Sequence, residues 1–140
     1  MLISDVMTAD PQVAKPSDTV AEIARRMNDI DTGAMPVVDD GQIVGIITDR
    51  DIVLRVVGEE RGFDTRVSEV MTTDVQTCRD DASIADVIYQ MQDKQVRRIL
   101  IVDDKQALTG IVSLGDVAQE ASARKAGAIL EEISEAPANN

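Results

Sequence analysis

Ile3-Ser4-Asp5-Val6-Met7-Thr8 returns about 64 residues later as Val67-Ser68-Glu69-Val70-Met71-Thr72. The rest of the first half keeps step with it. Val20-Ala21-Glu22-Ile23 returns as Ile84-Ala85-Asp86-Val87, with Met27 and Met91 following, and Val37-Val38-Asp39-Asp40 returns as Ile101-Val102-Asp103-Asp104. After a one-residue slip, Gly45-Ile46-Ile47-Thr48 and Asp51 return as Gly110-Ile111-Val112-Ser113 and Asp116. Tandem duplication at such a period predicts two like units related by a pseudo-twofold axis. Any cleft between them is then built twice, from equivalent residues.

Within each repeat the order reads strand, helix, strand, strand, helix, an α/β pattern. Gln12-Val13-Ala14 and Val75-Gln76-Thr77-Cys78 are short extended segments after the Met-Thr turns. Val20, Ile23, Ala24 and Met27, like Ile84, Val87, Ile88 and Met91, fall on one helical face. Thr19-x-x-Glu22 and Ser83-x-x-Asp86 have capping-box spacing at the starts of those helices. Ala34 to Val38 and Arg98 to Val102 are apolar runs of buried-strand length, which turn at Asp39-Asp40-Gly41 and Asp103-Asp104-Lys105 and pair back as hairpins through Ile43–Thr48 and Leu108–Ser113. A second helix follows, carrying Ile52, Val53, Val56 and Val57 in one copy and Val117, Ala118 and Ala121 in the other. The boundaries predicted are 1–60, 61–123, and a C-terminal helix with a fraying tail over 124–140, where Ile129, Leu130 and Ile133 form an apolar stripe. A repeat of about 60 residues has little core of its own, so the two are expected to pack face to face through their apolar strands.

Composition limits the chemistry. The chain of 140 residues has no histidine, which removes the usual general base and the commonest metal ligand. Cys78 is the one cysteine, so neither an intrachain disulfide nor a structural zinc site is available. It reads as a small core residue, and the methionines likewise, with Met7 and Met71 plugging the repeat interface. With Phe63 and Tyr89 the only aromatics, the core must be aliphatic. A formal net charge of −12 opposes binding to nucleic acid or an anionic membrane surface. No apolar run has the length of a membrane span or signal segment, and a reducing cytoplasmic location is expected. These features disfavour an enzyme.

The ordered set Asp-Val-Met-Thr, helix ending in Met, Pro-Val-Val-Asp-Asp and Gly-Ile-Ile-Thr-Asp-Arg-Asp-Ile, present in two copies, resembles the cystathionine-beta-synthase (CBS) domain. Its tandem pairing resembles a CBS pair, or Bateman module, of the freestanding bacterial kind, and covers residues 3 to 122. The resemblance implies a regulatory module that binds an adenosine-containing ligand (AMP, ADP, ATP, NAD(H) or S-adenosylmethionine) in the clefts between repeats. It also implies positions: Asp51 and Asp116 on the ribose hydroxyls, with Thr48 and Ser113 on ribose or phosphate; backbone around Val13 and Thr77 against adenine; Arg97 and Arg98 for phosphate. Independently of the resemblance, Arg97-Arg98 and Arg50 are the local positive charges that could hold a small anion in this acidic chain. Gly33-Ala34 stands where the second copy has Arg97-Arg98, and Leu114-Gly115 where the first has Asp49-Arg50, so the two clefts differ.

Simpler readings stand beside these. Thr48-x-x-Asp51 and Ser113-x-x-Asp116 are capping boxes by spacing, and a cap alone is worth about 1 kcal/mol. The same carboxylates suit a vicinal diol. Arg97-Arg98 is a solvated strand edge or a salt-bridge partner on one reading, a bidentate phosphate clamp on the other. Asp39-Asp40 and Asp103-Asp104 read as turns and not as a metal site. Signalling to an unidentified protein partner in trans and a homodimer through the apolar second helices complete the expectation. The rival is a ligand-free dimerising scaffold.

Overall fold

The computed structural model describes residues 1–135, with side chains through Arg124. The strands are β1 (Thr8–Ala9), β2 (Ala34–Asp39), β3 (Gln42–Thr48), β4 (Thr77–Arg79), β5 (Arg98–Val102) and β6 (Leu108–Ser113). The helices are α1 (Val20–Ile30), α2 (Asp49–Ile52), α3 (Val67–Val70), α4 (Ile84–Lys94) and α5 (Leu114–Glu135). One sheet has the order β1-β6-β5-β4, and β2 and β3 form a separate antiparallel pair. Single bridges Ile46↔Thr72 and Ala14↔Val37 extend that pair on both sides, so the first repeat echoes the strand order of the second. The extended segment expected at 12–14 shrinks to the Ala14 bridge, whereas its counterpart forms β4.

Helices α1 and α4 bury Val20, Ile23 and Met27, and Val87 and Met91, as their periodicity requires. The Thr19 hydroxyl accepts from the Glu22 N–H and the Ser83 hydroxyl from the Asp86 N–H. Only this half of each capping box forms. The backbone at Thr19 is instead bridged to Arg66, and that at Ser83 to Leu2. In the β2–β3 hairpin, Asp39 pairs with Gln42, so the loop is Asp40-Gly41, with φ of 50° and 77°. Positive φ at both loop positions is the turn whose twist matches paired strands.

The Leu2 and Arg66 bridges belong to an exchange of segments. Ile3, in a 3-10 turn at the head of the first repeat, is fully buried with Val87, Met91, Ile99, Ile101, Val112 and Val117, all of the second. Its N–H donates to the Ala82 carbonyl at 2.8 Å. Conversely, Val67 and Val70 of α3 complete the core of Val20, Ile23, Met35, Val37, Ile47 and Val56 in the first. Met7 and Met71 follow these segments and lie over Gly110 and Gly45; a Cβ at Gly45 would stand 2.7 Å from the Thr72 carbonyl oxygen and 2.9 Å from the Met71 sulfur. Glycine is needed at both sites for this close approach. A third cluster, Ala34, Ile46 and Leu100 with Ile43, Val75, Leu108 and Ile111, packs the strands of the two repeats face to face, as expected. The core is wholly aliphatic: Phe63 and Tyr89 are 78% and 69% exposed.

The second helices diverge. After α2 the chain widens to a π-turn over Val53–Val57, closed by the Gly58 N–H on the Val53 carbonyl, and then turns into the link. In the second repeat the corresponding helix runs on without a break through Glu135. The stretch expected to form a separate C-terminal helix therefore continues α5, because Ala121 to Ala128 is rich in strong helix formers. The side chains of Ile129, Leu130 and Ile133 and the tail at Pro137–Asn140 lie outside the described residues.

The exchange makes Ile3 a core residue despite its place near the chain terminus. Ile3→Ala is expected to lower stability by about 2–4 kcal/mol, the cost of a large core truncation. Urea unfolding measures it, and a loss within about 0.5 kcal/mol, the range of a surface change, would show that the segment does not dock.

Candidate functional site

Each repeat places a Thr or Ser at the end of its last strand and an aspartate one helical turn later, and both form reciprocal caps. The Thr48 N–H donates to Asp51 Oδ2 at 3.0 Å and the Asp51 N–H to Thr48 Oγ1 at 3.1 Å. The Ser113 N–H donates to Asp116 Oδ2, and the Asp116 N–H to Ser113 Oγ, both at 3.1 Å. The capping reading of both motifs is thus realised, and it commits one oxygen of each carboxylate.

The remaining oxygens differ. Asp51 is buried, 8% exposed. Its Oδ1 accepts from the Thr72 hydroxyl at 3.1 Å, and the Arg55 guanidinium stands 4.0 Å away while also donating to the Val70 and Met71 carbonyls. Asp116 is half-buried, and among the described residues no side chain meets its second oxygen. The position equivalent to Arg55 is Glu120, which pairs with Arg124 at 3.4 Å. Opposite charges four residues apart on the first helix are replaced by like charges on the second.

Arg97 and Arg98 lie beside the second cap. Arg98 is the register partner of Ser113, and the Leu114 N–H donates to the Arg97 carbonyl at 2.7 Å. With Ser113, Leu114, Gly115 and Ala118 they line a groove of about 420 Å³. Among the described residues neither guanidinium has an ion pair, so the salt-bridge reading of the doublet is not realised there. Arg50 is exposed; its backbone N–H donates to Asp49 Oδ1 and its carbonyl accepts from the Val53 N–H, while among the described residues its guanidinium has no ion pair.

Thr77 is paired with Leu100 on β5, two residues along from Arg98. It lines a larger cleft of about 590 Å³ between the hairpin tips of the two repeats, with Ile43, Val44, Thr73, Val75 and Lys105. Its carbonyl accepts from Gln90 Nε2 at 2.9 Å, and the equivalent Val13 carbonyl accepts from Arg26 Nη2 at 3.0 Å. Helix side chains therefore already hold the backbone oxygens expected to face an adenine. The expected residues divide into a cap-and-arginine groove in the second repeat, a closed cap in the first, and an inter-repeat cleft. Thr72 and Arg55 were missed by sequence reasoning. The i,i+4 spacing of Asp51 and Arg55 was a signal for one; the Thr72 contact spans 21 residues and carried none.

Asp39-Asp40 and Asp103-Asp104 are turns, with Asp103 Oδ1 accepting from the Lys105 and Ala107 N–H groups. Cys78 packs against the second core, and burial raises its thiol to about 11. No helix among the described residues is long and apolar enough to cross a membrane.

The CBS domain model matches residues 3–58 and 67–123, and the chain belongs to the CBS domain family as a pair of CBS repeats. It is 43% identical over 136 residues to the Bacillus subtilis protein YlbB, covering 95% of this chain and 91% of that one. Among solved structures it is similar to the CBS domain pair of protein MJ0100 in complex with 5-methylthioadenosine and S-adenosyl-L-methionine, at TM-score 0.80 and 26% identity over 89% of this chain and 98% of that one. CBSX2 in complex with AMP matches at TM-score 0.72 and 25% identity, with the same coverages of 89% and 98%. Proteins of this family thus include binders of adenosyl ligands.

A thiol raised to about 11 from 9.0 carries about 100-fold less thiolate at neutral pH. Iodoacetamide is therefore expected to label folded Cys78 at least about 100-fold more slowly than the urea-unfolded chain, since the thiolate is the nucleophile. Because the folded pKa is the higher, the contribution of the thiol to stability is constant below about pH 9 and is lost as pH rises to about 11. A labelling rate equal to that of the unfolded chain would contradict this environment.

Proposed function

We propose that this protein is a regulatory CBS pair that binds an adenosine-containing ligand and passes the signal to a protein partner in trans. The observation that carries the reading is the second-repeat cap. Asp116 keeps a carboxylate oxygen with no described partner at the start of a long helix, and Ser113, its capping partner, lines a groove with Arg97 and Arg98. A carboxylate accepts two bonds from a ribose diol, and guanidinium groups beside helix N–H groups suit a phosphate or other anionic group. Ser113 holds the acid in place. The similar structures with AMP and with S-adenosylmethionine support the ligand class.

The relay is a population shift. A ligand bridging the repeats favours whichever packing of the two closes around it. On the second-helix face Val53, Leu54 and Val57 are 57%, 51% and 64% exposed on the π-turn. We assign this face to a homodimer. The absence of histidine in the sequence and the regulatory character of the family argue against catalysis.

Thermal unfolding against AMP, ADP, ATP, NADH and S-adenosylmethionine tests the site. A ligand at about 100 times its dissociation constant adds about 2.7 kcal/mol, a rise of about 5–10 °C. Asp116→Asn keeps a capping acceptor but loses the charge, and is expected to abolish most of that rise. Flat curves for all five ligands favour a ligand-free scaffold. For the dimer face, Leu54→Glu is expected to convert a dimer to a monomer in sedimentation equilibrium; a wild type that sediments as a monomer would refute the assignment.

A further inference from the structure

The two caps share one design yet differ in what the fold does with the second carboxylate oxygen, and the difference lies in three side chains. In the first repeat, the Thr72 hydroxyl donates to Asp51 at 3.1 Å to Oδ1 and 3.4 Å to Oδ2. Thr72 is held there by a two-way backbone bridge to Ile46, both bonds at 2.9 Å. Arg55, on the π-turn, faces the same oxygen and is tied to the Val70 and Met71 carbonyls just before Thr72. The hydroxyl and the guanidinium supply to Asp51 what a ligand diol would supply: hydrogen-bond donors to a buried carboxylate.

The second repeat has the same parts without the closure. Thr8, the counterpart of Thr72, sits in β1 opposite Ile111, and among the described residues its hydroxyl makes no bond to Asp116. Glu120, the counterpart of Arg55, brings a like charge. Beyond Thr72, residues Thr73, Val75 and Thr77 line the inter-repeat cleft of about 590 Å³ with Ile43 and Val44, a space of the size that small-molecule sites have.

We infer that the first cap aspartate is latched by the protein itself: Thr72 and Arg55 engage the Asp51 carboxylate, so the chain takes up one adenosyl ligand, at Asp116, and a second at Asp51 only when that latch is released. The inference rests on the reading of Asp116 given above. Thr72→Val keeps the shape and removes the donor; Arg55→Gln removes the charge.

Titration calorimetry of the full chain with AMP as the probe reads the stoichiometry. The expected result is one AMP per chain for the wild type and two for Thr72→Val/Arg55→Gln. Two per chain in the wild type, or one in the folded double variant, would overturn the latch. A ligand-free measurement stands independently: thermal midpoints of Asp51→Asn, Thr72→Val and Asp51→Asn/Thr72→Val. A latch predicts that the double falls no further than the lower single, whereas additive shifts overturn it. A wild type that binds no AMP counts against the functional reading, and the unfolding cycle then decides the latch by itself.

Discussion

Neither repeat closes its own core, and the exchange of segments that remedies this governs the rest of the molecule. Ile3 fills the second core and Val67 and Val70 the first, each carried across by the few residues ahead of a Met-Thr turn. The hydrophobic driving force is ordinary, but its geometry is reciprocal: removing either segment leaves a void in the other unit. The methionines that follow come to rest on Gly110 and Gly45, and the threonines come to rest beside the last strands. The crossing segments thus stabilise the fold and also deliver Thr72 to the first cap.

With the backbone nearly symmetric, side chains set the two caps apart. One aspartate is buried, capped, bonded by a hydroxyl and faced by an arginine. The other is capped, half-buried, and followed one turn later by glutamate, and its capping Ser113 shares a groove with two arginines without described ion pairs. A fully satisfied buried carboxylate is a structural group, because taking a donor from it leaves a charge uncompensated. A capped carboxylate with an open oxygen can still accept further hydrogen bonds. Duplication built both caps, and divergence at positions 55 and 120 set their surroundings apart.

Much of this was legible from residues alone. The period of the repeat gave the two units, helical spacing gave α1 and α4, and the turn residues gave the hairpins, because each rests on interactions within a few residues. The reciprocal caps at Thr48–Asp51 and Ser113–Asp116 were legible for the same reason. The outer pair at Thr19 and Ser83 formed only in half, since their backbones bridge to Arg66 and Leu2, contacts that span most of a repeat or more. The length of α5 was misjudged because nothing after Arg124 forces a boundary and alanines favour continuation.

What the sequence alone determined is therefore the local chemistry: two α/β repeats, an aliphatic core, no histidine for catalysis, and paired capping aspartates at equivalent places. What only the tertiary structure decided is which aspartate remains available. That depends on Thr72 reaching across 21 residues to Asp51 and on the bridge to Ile46 that fixes it. Such contacts carry no periodic trace in the chain, because a hydrogen bond between distant residues constrains two positions and leaves no pattern between them.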